Sequence, residues 1–320
     1  HILCSRLPNY TSSEEGFPLK DFEYCAPKTL REAVALKAEK GEAARVLAGG
    51  TDLIVQLRGK RFAPDRVIDI KNIADVNELS YSPRKGLIIG AGVPCWRVYN
   101  DAEIAELYPG LIDSAAIIGG IQIQGRATFG GNLCNSSPSA DTIPSLMTHS
   151  AVCNLIGPNG KRKVPVVDFC TGPGRNVLEP GEILVSLQIP GIKKNTGAHY
   201  QRFIPRNEMD IAVVGVSSQV VLANRGKEFK EARIALAAVG PTPIFATAAG
   251  ETLAGQAVSD EAIAAAAAAA QSVATPISDM RGPAEFRTHL VGVLVKRTLE
   301  GAIARARGKF VANAVQEAAG

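Results

Sequence analysis

Aromatic side chains make up only 5% of the 320 residues, with a single tryptophan. A surface that stacks on exposed nucleobases needs more of them. Charge gives no better case for a polyanion partner: 35 Lys and Arg stand against 31 Asp and Glu, for a net +4. The run Lys161-Arg162-Lys163 after Gly160 reads as the solvated end of a hairpin rather than a phosphate-binding patch. Cysteine is sparse and scattered, at positions 4, 25, 95, 134, 153 and 170. No two stand in a CxxC pair, so zinc and iron–sulfur ligation lack their usual spacing. These six read as buried thiols of a reduced compartment, although disulfides stay formally open. His1, His149, His199 and His289 do not cluster at ligand spacing, so no metal site is expected.

Long apolar runs are missing too. No stretch of roughly 18 apolar residues occurs, and the opening His1-Ile2-Leu3-Cys4 lacks the basic start of a secretory signal. What remains, 46% hydrophobic and 21% charged, is the composition of an ordinary globular chain of about two domains. The expectation is a cytoplasmic protein with no membrane span and no nucleic-acid partner.

Residues 1–17 read as an irregular leader. Residues 29–40 open with Thr29 and carry Glu32 three positions on, a capping-box start. Arg45-Val46-Leu47-Ala48 reads as a buried strand that Gly49-Gly50 interrupts and Leu53-Ile54-Val55 resumes. Further strands are expected at 67–70 and 86–90, and a helical period at 101–119. The first half therefore alternates strand and helix. A hairpin turns at Gly157-Pro158-Asn159-Gly160, and a last strand at 183–189 stops at Pro190-Gly191. Residues 191–197 read as a linker. Beyond it, two alternating runs at 212–222 and 229–239 should pair antiparallel. Two helices follow: an alanine-rich one capped at Ser259, and another over 286–307.

The most informative feature is a pair of glycine segments about eighty residues apart. The first is Leu47-Ala48-Gly49-Gly50-Thr51-Asp52-Leu53, directly after a strand. Adjacent glycines turn the chain sharply and bring bare N–H groups against an anion. The second spans 124–141 and includes Thr128-Phe129-Gly130-Gly131-Asn132, Cys134, Asn135, Ser137 and Asp141. Small and hydroxylated residues dominate it, so it reads as a long loop that takes its shape from a ligand rich in phosphate and amide groups. Neither segment is GxxxxGK[ST], which excludes a P-loop, and no GxGxxG opens a helix after a first strand, so a Rossmann site is unsupported.

At these two segments the chain resembles the FAD subunits of the xanthine dehydrogenase and carbon monoxide dehydrogenase group of molybdenum hydroxylases. The blocks that carry the likeness are Ala48-Gly49-Gly50-Thr51-Asp52 and Thr128-Phe129-Gly130-Gly131-Asn132 with Ser137-Pro138-Ser139-Ala140-Asp141. Glu182-Ile183-Leu184, Tyr200-Gln201-Arg202-Phe203 and Ser278-Asp279-Met280-Arg281 continue it. The resemblance implies an α+β chain. A vanillyl-alcohol-oxidase (PCMH)-type FAD-binding domain of two α/β subdomains would fill 18–192, a smaller α+β domain 198–307, and a tail 308–320. It also implies FAD, with its pyrophosphate between the backbones of 48–52 and 128–132. Asp141 would hydrogen-bond the ribityl or adenosine part, and Leu184 would lie near the adenine or ribityl chain. Tyr200 would cover the isoalloxazine, and Arg202, at a position usually Lys in the family, would face its N1/C2=O edge. A cation there stabilises the anionic reduced flavin. Leu47, Leu53, Phe129, Cys134, Asn135 and Ser137 complete the expected cofactor-binding set.

No catalytic acid, base or nucleophile is expected. The implied partners are a large molybdopterin subunit and a small subunit with two [2Fe-2S] clusters, arranged as a dimer of heterotrimers. The alternatives are a stand-alone FAD-dependent oxidase or reductase of the same fold, and a non-catalytic binding or scaffold subunit.

Overall fold

Short apolar runs closed by glycine and proline pair into three main sheets. The computed structural model describes residues 4–6 and 20–312. The first sheet joins β1 (Cys4–Arg6), β2 (Glu23–Cys25), β3 (Ala44–Leu47) and β4 (Arg66–Asp69) in the order β1-β2-β4-β3. Its last three strands are parallel. Parallel pairing needs a helical crossover, which α1 (Leu30–Lys40) and α2 (Leu53–Arg58) supply. Thr29 and Glu32 close the expected capping box on α1.

The second sheet is antiparallel. It contains β5 (Leu79–Ser82), β6 (Gly86–Gly90), β7 (Val152–Gly157), β8 (Gly160–Pro165) and β11 (Ile183–Ile189), in the order β5-β6-β11-β7-β8. A small hairpin of β9 (Cys170–Gly172) and β10 (Arg175–Asn176) precedes β11. Six short helices intervene in sequence between β6 and β7: α3 (Cys95–Tyr99), α4 (Ala102–Leu107), α5 (Pro109–Ala115), α6 (Ile121–Gln124), α7 (Phe129–Asn135) and α8 (Thr142–Thr148). Tyr108, Phe129 and Phe169 are buried in the core between these helices and the sheet.

The third sheet is the antiparallel meander β12 (Thr196–Phe203), β13 (Val214–Ala223), β14 (Glu228–Ala237) and β15 (Ile244–Phe245). The helices α9 (Thr247–Glu251), α10 (Asp260–Ser272) and α11 (Ala284–Ala306) follow it. Leu290, Leu294, Leu299 and Ile303 line the buried stripe of α11, the helical spacing visible in sequence. A Cβ at Gly197 would strike the Ala302 carbonyl, so the bare glycine permits β12 and α11 to approach closely.

Four expectations need correction. Leu53-Ile54-Val55 does not resume a strand but opens α2, because Gly50 takes a positive φ of 82° and reverses the chain. The long loop at 124–141 contains α7, with Ser136 in the left-handed conformation as its C-cap. The linker is shorter than expected, since β12 already begins at Thr196. The leader contributes β1, and Cys4 forms a disulfide with Cys25. Sequence spacing could not show this pairing, because it is the antiparallel register of β1 on β2 that sets Cys4 opposite Cys25. Residues 1–3 and 7–17 of the expected leader and 313–320 of the expected tail lie outside the described residues. Cys95, Cys134, Cys153 and Cys170 are free thiols.

Candidate functional site

β3 delivers the first glycine segment to the edge of the first sheet. Gly49 has no room for a side chain, because a Cβ there would collide with the Arg126 carbonyl. The Arg126 Nε in turn donates to the Gly49 carbonyl at 3.3 Å. The two glycine segments therefore touch backbone to backbone. Gln56 on α2 adds a second tie, donating to the Asn135 side chain at 2.9 Å.

Across from this wall stands α7. Thr128 is its N-cap, with extended backbone, and its hydroxyl accepts the Gly131 N–H at 2.8 Å. Gly130 presses on a neighbouring segment: a Cβ would stand 2.7 Å from the Ala91 Cα. Gly131 differs, since its added Cβ would meet only the Thr128 hydroxyl, at 3.0 Å. The C-terminal end of α7 is held by the β9–β10 hairpin. There Asn176 donates to the Cys134 carbonyl at 2.9 Å, and the Gly174 N–H donates to the Ser136 carbonyl at 3.0 Å.

These walls enclose a cavity of about 710 Å³, within the size range of sites for extended small-molecule ligands. Of the residues singled out from sequence, Ala48, Gly49, Gly50, Thr51, Asp52, Leu53, Thr128, Gly130, Gly131, Asn132, Cys134, Asn135 and Leu184 line it. Both glycine segments thus face one space. Partial loss of water raises the Asp52 carboxyl above the usual carboxylate range. Burial pushes the Cys134 thiol up to about 12, which leaves it protonated and unreactive near neutrality.

Leu47, Phe129, Ser137, Asp141, Tyr200 and Arg202 are not among the lining residues. Phe129 is a core side chain. Asp141, Tyr200 and Arg202 form a buried cluster joining α8 to β12. The Tyr200 hydroxyl donates to Asp141 at 2.8 Å, and Arg202 Nη1 donates to the other carboxylate oxygen at 2.7 Å. Burial, the Asp141 charge and their hydrogen bond hold the Tyr200 phenol well above its usual range. Both Asp141 oxygens are therefore engaged inside the protein.

Sequence reasoning missed the far wall. Lys37, Arg45, Arg61 and Phe62 line the cavity beyond the first glycine segment, with Glu42, Glu179 and Glu182. Arg162 clamps Glu182 through two hydrogen bonds of 2.6 and 2.7 Å, holding its carboxyl below the usual range. The only signal for this wall was Arg61-Phe62, an aromatic beside a cation in a chain poor in aromatics. A long cavity between two glycine-bearing backbones, with cations at one end, fits a dinucleotide carrying a diphosphate.

Such a cleft in an α+β frame places the protein among dinucleotide-binding proteins that are neither P-loop nor Rossmann folds. The family model described as "FAD binding domain in molybdopterin dehydrogenase" matches residues 20–192. The model described as "CO dehydrogenase flavoprotein C-terminal domain" matches 199–302. The chain belongs to this family, the FAD subunits of molybdenum hydroxylases, and is an oxidoreductase component. It is 32% identical to the xanthine dehydrogenase FAD-binding subunit of Escherichia coli O157:H7, over 90% of this chain and 98% of the relative. It is 34% identical to the carbon monoxide dehydrogenase medium chain of Afipia carboxidovorans, over 89% and 98%. Among solved structures, CO dehydrogenase from Oligotropha carboxidovorans matches with a TM-score of 0.85 at 32% identity, covering 89% of this chain and 98% of that one. Quinoline 2-oxidoreductase from Pseudomonas putida 86 gives 0.83 at 28%, covering 91% and 99%.

Proposed function

We propose that this chain holds FAD with the diphosphate between Ala48–Asp52 and the N-terminal turn of α7, and serves as the electron-exit station of a larger complex. The observation that carries the reading is the convergence of both glycine segments on one cavity. A bound FAD would supply the chemistry that turns single-electron delivery into paired release to an external acceptor. The chain's residues bind and orient it. The glycine segments would border the diphosphate, and Leu184 would supply an apolar wall. Ile118 and Ala127 line the cavity beside the Met209 N–H contact with the Gly119 carbonyl at 3.3 Å and would hold the flavin ring. The ion pair with Asp141 fixes the direction of the Arg202 guanidinium, and Tyr200, Arg202 and Asp141 would act on a bound flavin together.

The partners are a large molybdopterin subunit and a small subunit with two [2Fe-2S] clusters, arranged as a dimer of heterotrimers in the cytoplasm. Supporting this, relatives along nearly the full chain are named as medium chains or FAD subunits of dehydrogenases. No described helix is long and apolar enough to cross a membrane. The two-unit division at 18–192 and 198–307 agrees with the change from the second sheet to the third at β12.

Gly131→Val tests the diphosphate placement, since its side chain grows into the cavity rather than into a neighbouring backbone. The expected result is a folded protein without the two-banded absorption of oxidised flavin. Full flavin occupancy in a folded variant overturns the placement. A native chain that runs alone on size exclusion with complete dehydrogenase activity overturns the subunit role.

A further inference from the structure

Away from the cavity, the outer edge of the first sheet carries a group of donors that the flavin reading does not use. Register sets Cys4 on β1 directly opposite Cys25 on β2. Alternation along β2 puts Glu23 on the same face as Cys25, two residues away. The two Sγ atoms and a Glu23 carboxylate oxygen lie within 4.8 Å of one another. None of the three residues lines the cavity. Arg66 orients the carboxylate through one oxygen, with Nε donating to Oε2 at 2.7 Å, and its side chain is only 6% exposed. Cys25 is fully buried while Cys4 and Glu23 are half-buried, so the group has a closed floor and an open side.

Two sulfurs and a carboxylate are the donor set of a borderline-soft cation. Zinc takes such ligands tetrahedrally at about 2.0–2.3 Å, which sets neighbouring donors roughly 3.3–3.8 Å apart, inside the 4.8 Å span of this group. Magnesium and calcium call for oxygen shells and do not match it. Two thiolates and a carboxylate bring three negative charges against the cation's two, and the buried Arg66 beside Glu23 balances the third. We propose that Cys4, Cys25 and Glu23 form a redox-gated site for a thiophilic divalent cation of the zinc class. While the disulfide is closed neither sulfur carries charge to offer. A dithiol opens it by exchange: its own sulfurs join, the electron pair enters the Cys4–Cys25 bond, and each cysteine sulfur receives one proton. The cation then displaces both protons, and water completes the shell from the open side. Oxidised glutathione reverses this, leaving as two thiolates while Cys4 rejoins Cys25 and the cation departs. In both states β1 stays fastened to β2, since three residues of pairing hold a strand poorly unaided. The site does not depend on the flavin reading, and Cys4 precedes residue 20, where the family match starts.

The experiment uses the full-length chain, reduced with dithiothreitol, freed of it and titrated without air with Co2+ and then Zn2+. Cobalt is the probe because thiolate ligation gives it an intense near-ultraviolet charge-transfer absorption, read as a difference spectrum over any flavin. The reduced chain should take up one Co2+ with that absorption, lose it to Zn2+, and show none while oxidised. Oxidised glutathione should bleach the loaded protein and restore the disulfide. Cys4→Ser, outside the buried core, should abolish the absorption, with a thermal melt confirming the fold. Glu23→Gln should weaken Co2+ binding by about tenfold or more, a loss that even outer partners of a metal ligand produce. Cys170→Ala, at one of the free thiols, should bind like wild type. A reduced wild type without the absorption overturns the site. So does a folded Cys4→Ser chain that keeps it, which places the cation on the other thiols. Unchanged binding in Glu23→Gln removes the carboxylate from the ligand set, and a disulfide that excess dithiothreitol leaves closed in the folded chain overturns the gating.

Discussion

The glycines that look alike in sequence do different things. Gly50 is needed for its positive φ of 82°, Gly49 and Gly130 for backbone contacts with Arg126 and Ala91, and Gly131 alone for space toward the cavity. Only the last is a clean probe of the ligand. Titratable groups divide the same way. His149 is buried, and loss of water pushes its imidazole down from 6.5 to about 4, while Nδ1 lies 2.7 Å from the Ser145 carbonyl. The neutral ring therefore donates from Nδ1. Above pH 6.5 neither the folded nor the unfolded chain holds a proton there. Between 6.5 and about 4 the unfolded chain takes one up and the native state does not. Stability should therefore fall through that window by roughly 3 kcal/mol and level off below it. Replacing His149 with Gln removes this limb. Urea midpoints at neutral pH and near about pH 5 should then converge, and an unchanged acid slope in the variant rules His149 out as its source.

At the scale of elements, the site depends on two short helices that sequence periodicity cannot reveal. α2 has six residues and α7 seven, too short to show an apolar repeat and marginal as isolated helices. They form because their ends are anchored. Gly50 turns the chain into α2, and the Thr128 hydroxyl caps α7 through the Gly131 N–H. Losing that cap should lower stability by about 1 kcal/mol in Thr128→Ala, with Thr128→Ser close to wild type. Thermal melts of the flavin-free chain separate the cap from any ligand effect. Equal melts for the Ala and Ser variants would show that the hydroxyl does not hold the helix.

For the whole molecule, the join between the third sheet and the rest is electrostatic as well as apolar. Arg305 on α11 reaches Asp113 on α5 through hydrogen bonds of 2.6 and 3.0 Å, with Ala198 O at 2.7 Å. Both side chains are nearly inaccessible, at 6% and 3% exposure. Removing one partner strands the other without water, so Arg305→Leu should destabilise the chain by about 3–5 kcal/mol. Asp113→Leu in the same background should recover most of that loss. A double-mutant cycle in denaturant measures the coupling, and strictly additive effects would show that the pair does not link the two parts. Because the proposed flavin end lies at this join, the Arg305→Leu chain should also hold FAD more weakly.

The sequence by itself determined β6, the β7–β8 hairpin and β11 of the second sheet, β13 and β14 of the third, the cap of α1 and the long helices α10 and α11. Each rests on local chemistry: alternation, a capping residue, an alanine run, a turn between Pro158 and Gly160. It also marked both glycine segments, because runs of small residues stand out from the apolar periods around them. Only tertiary structure decided that Gly49 and Arg126 touch, that Cys4 pairs with Cys25, and that Asp141 faces Tyr200 and Arg202. The same holds for Arg45 meeting Phe62. These contacts join residues far apart in the chain or on separate elements, and their partners carry no local signature. The glycine walls of the cavity were therefore legible in the sequence, and the cationic, aromatic wall was not.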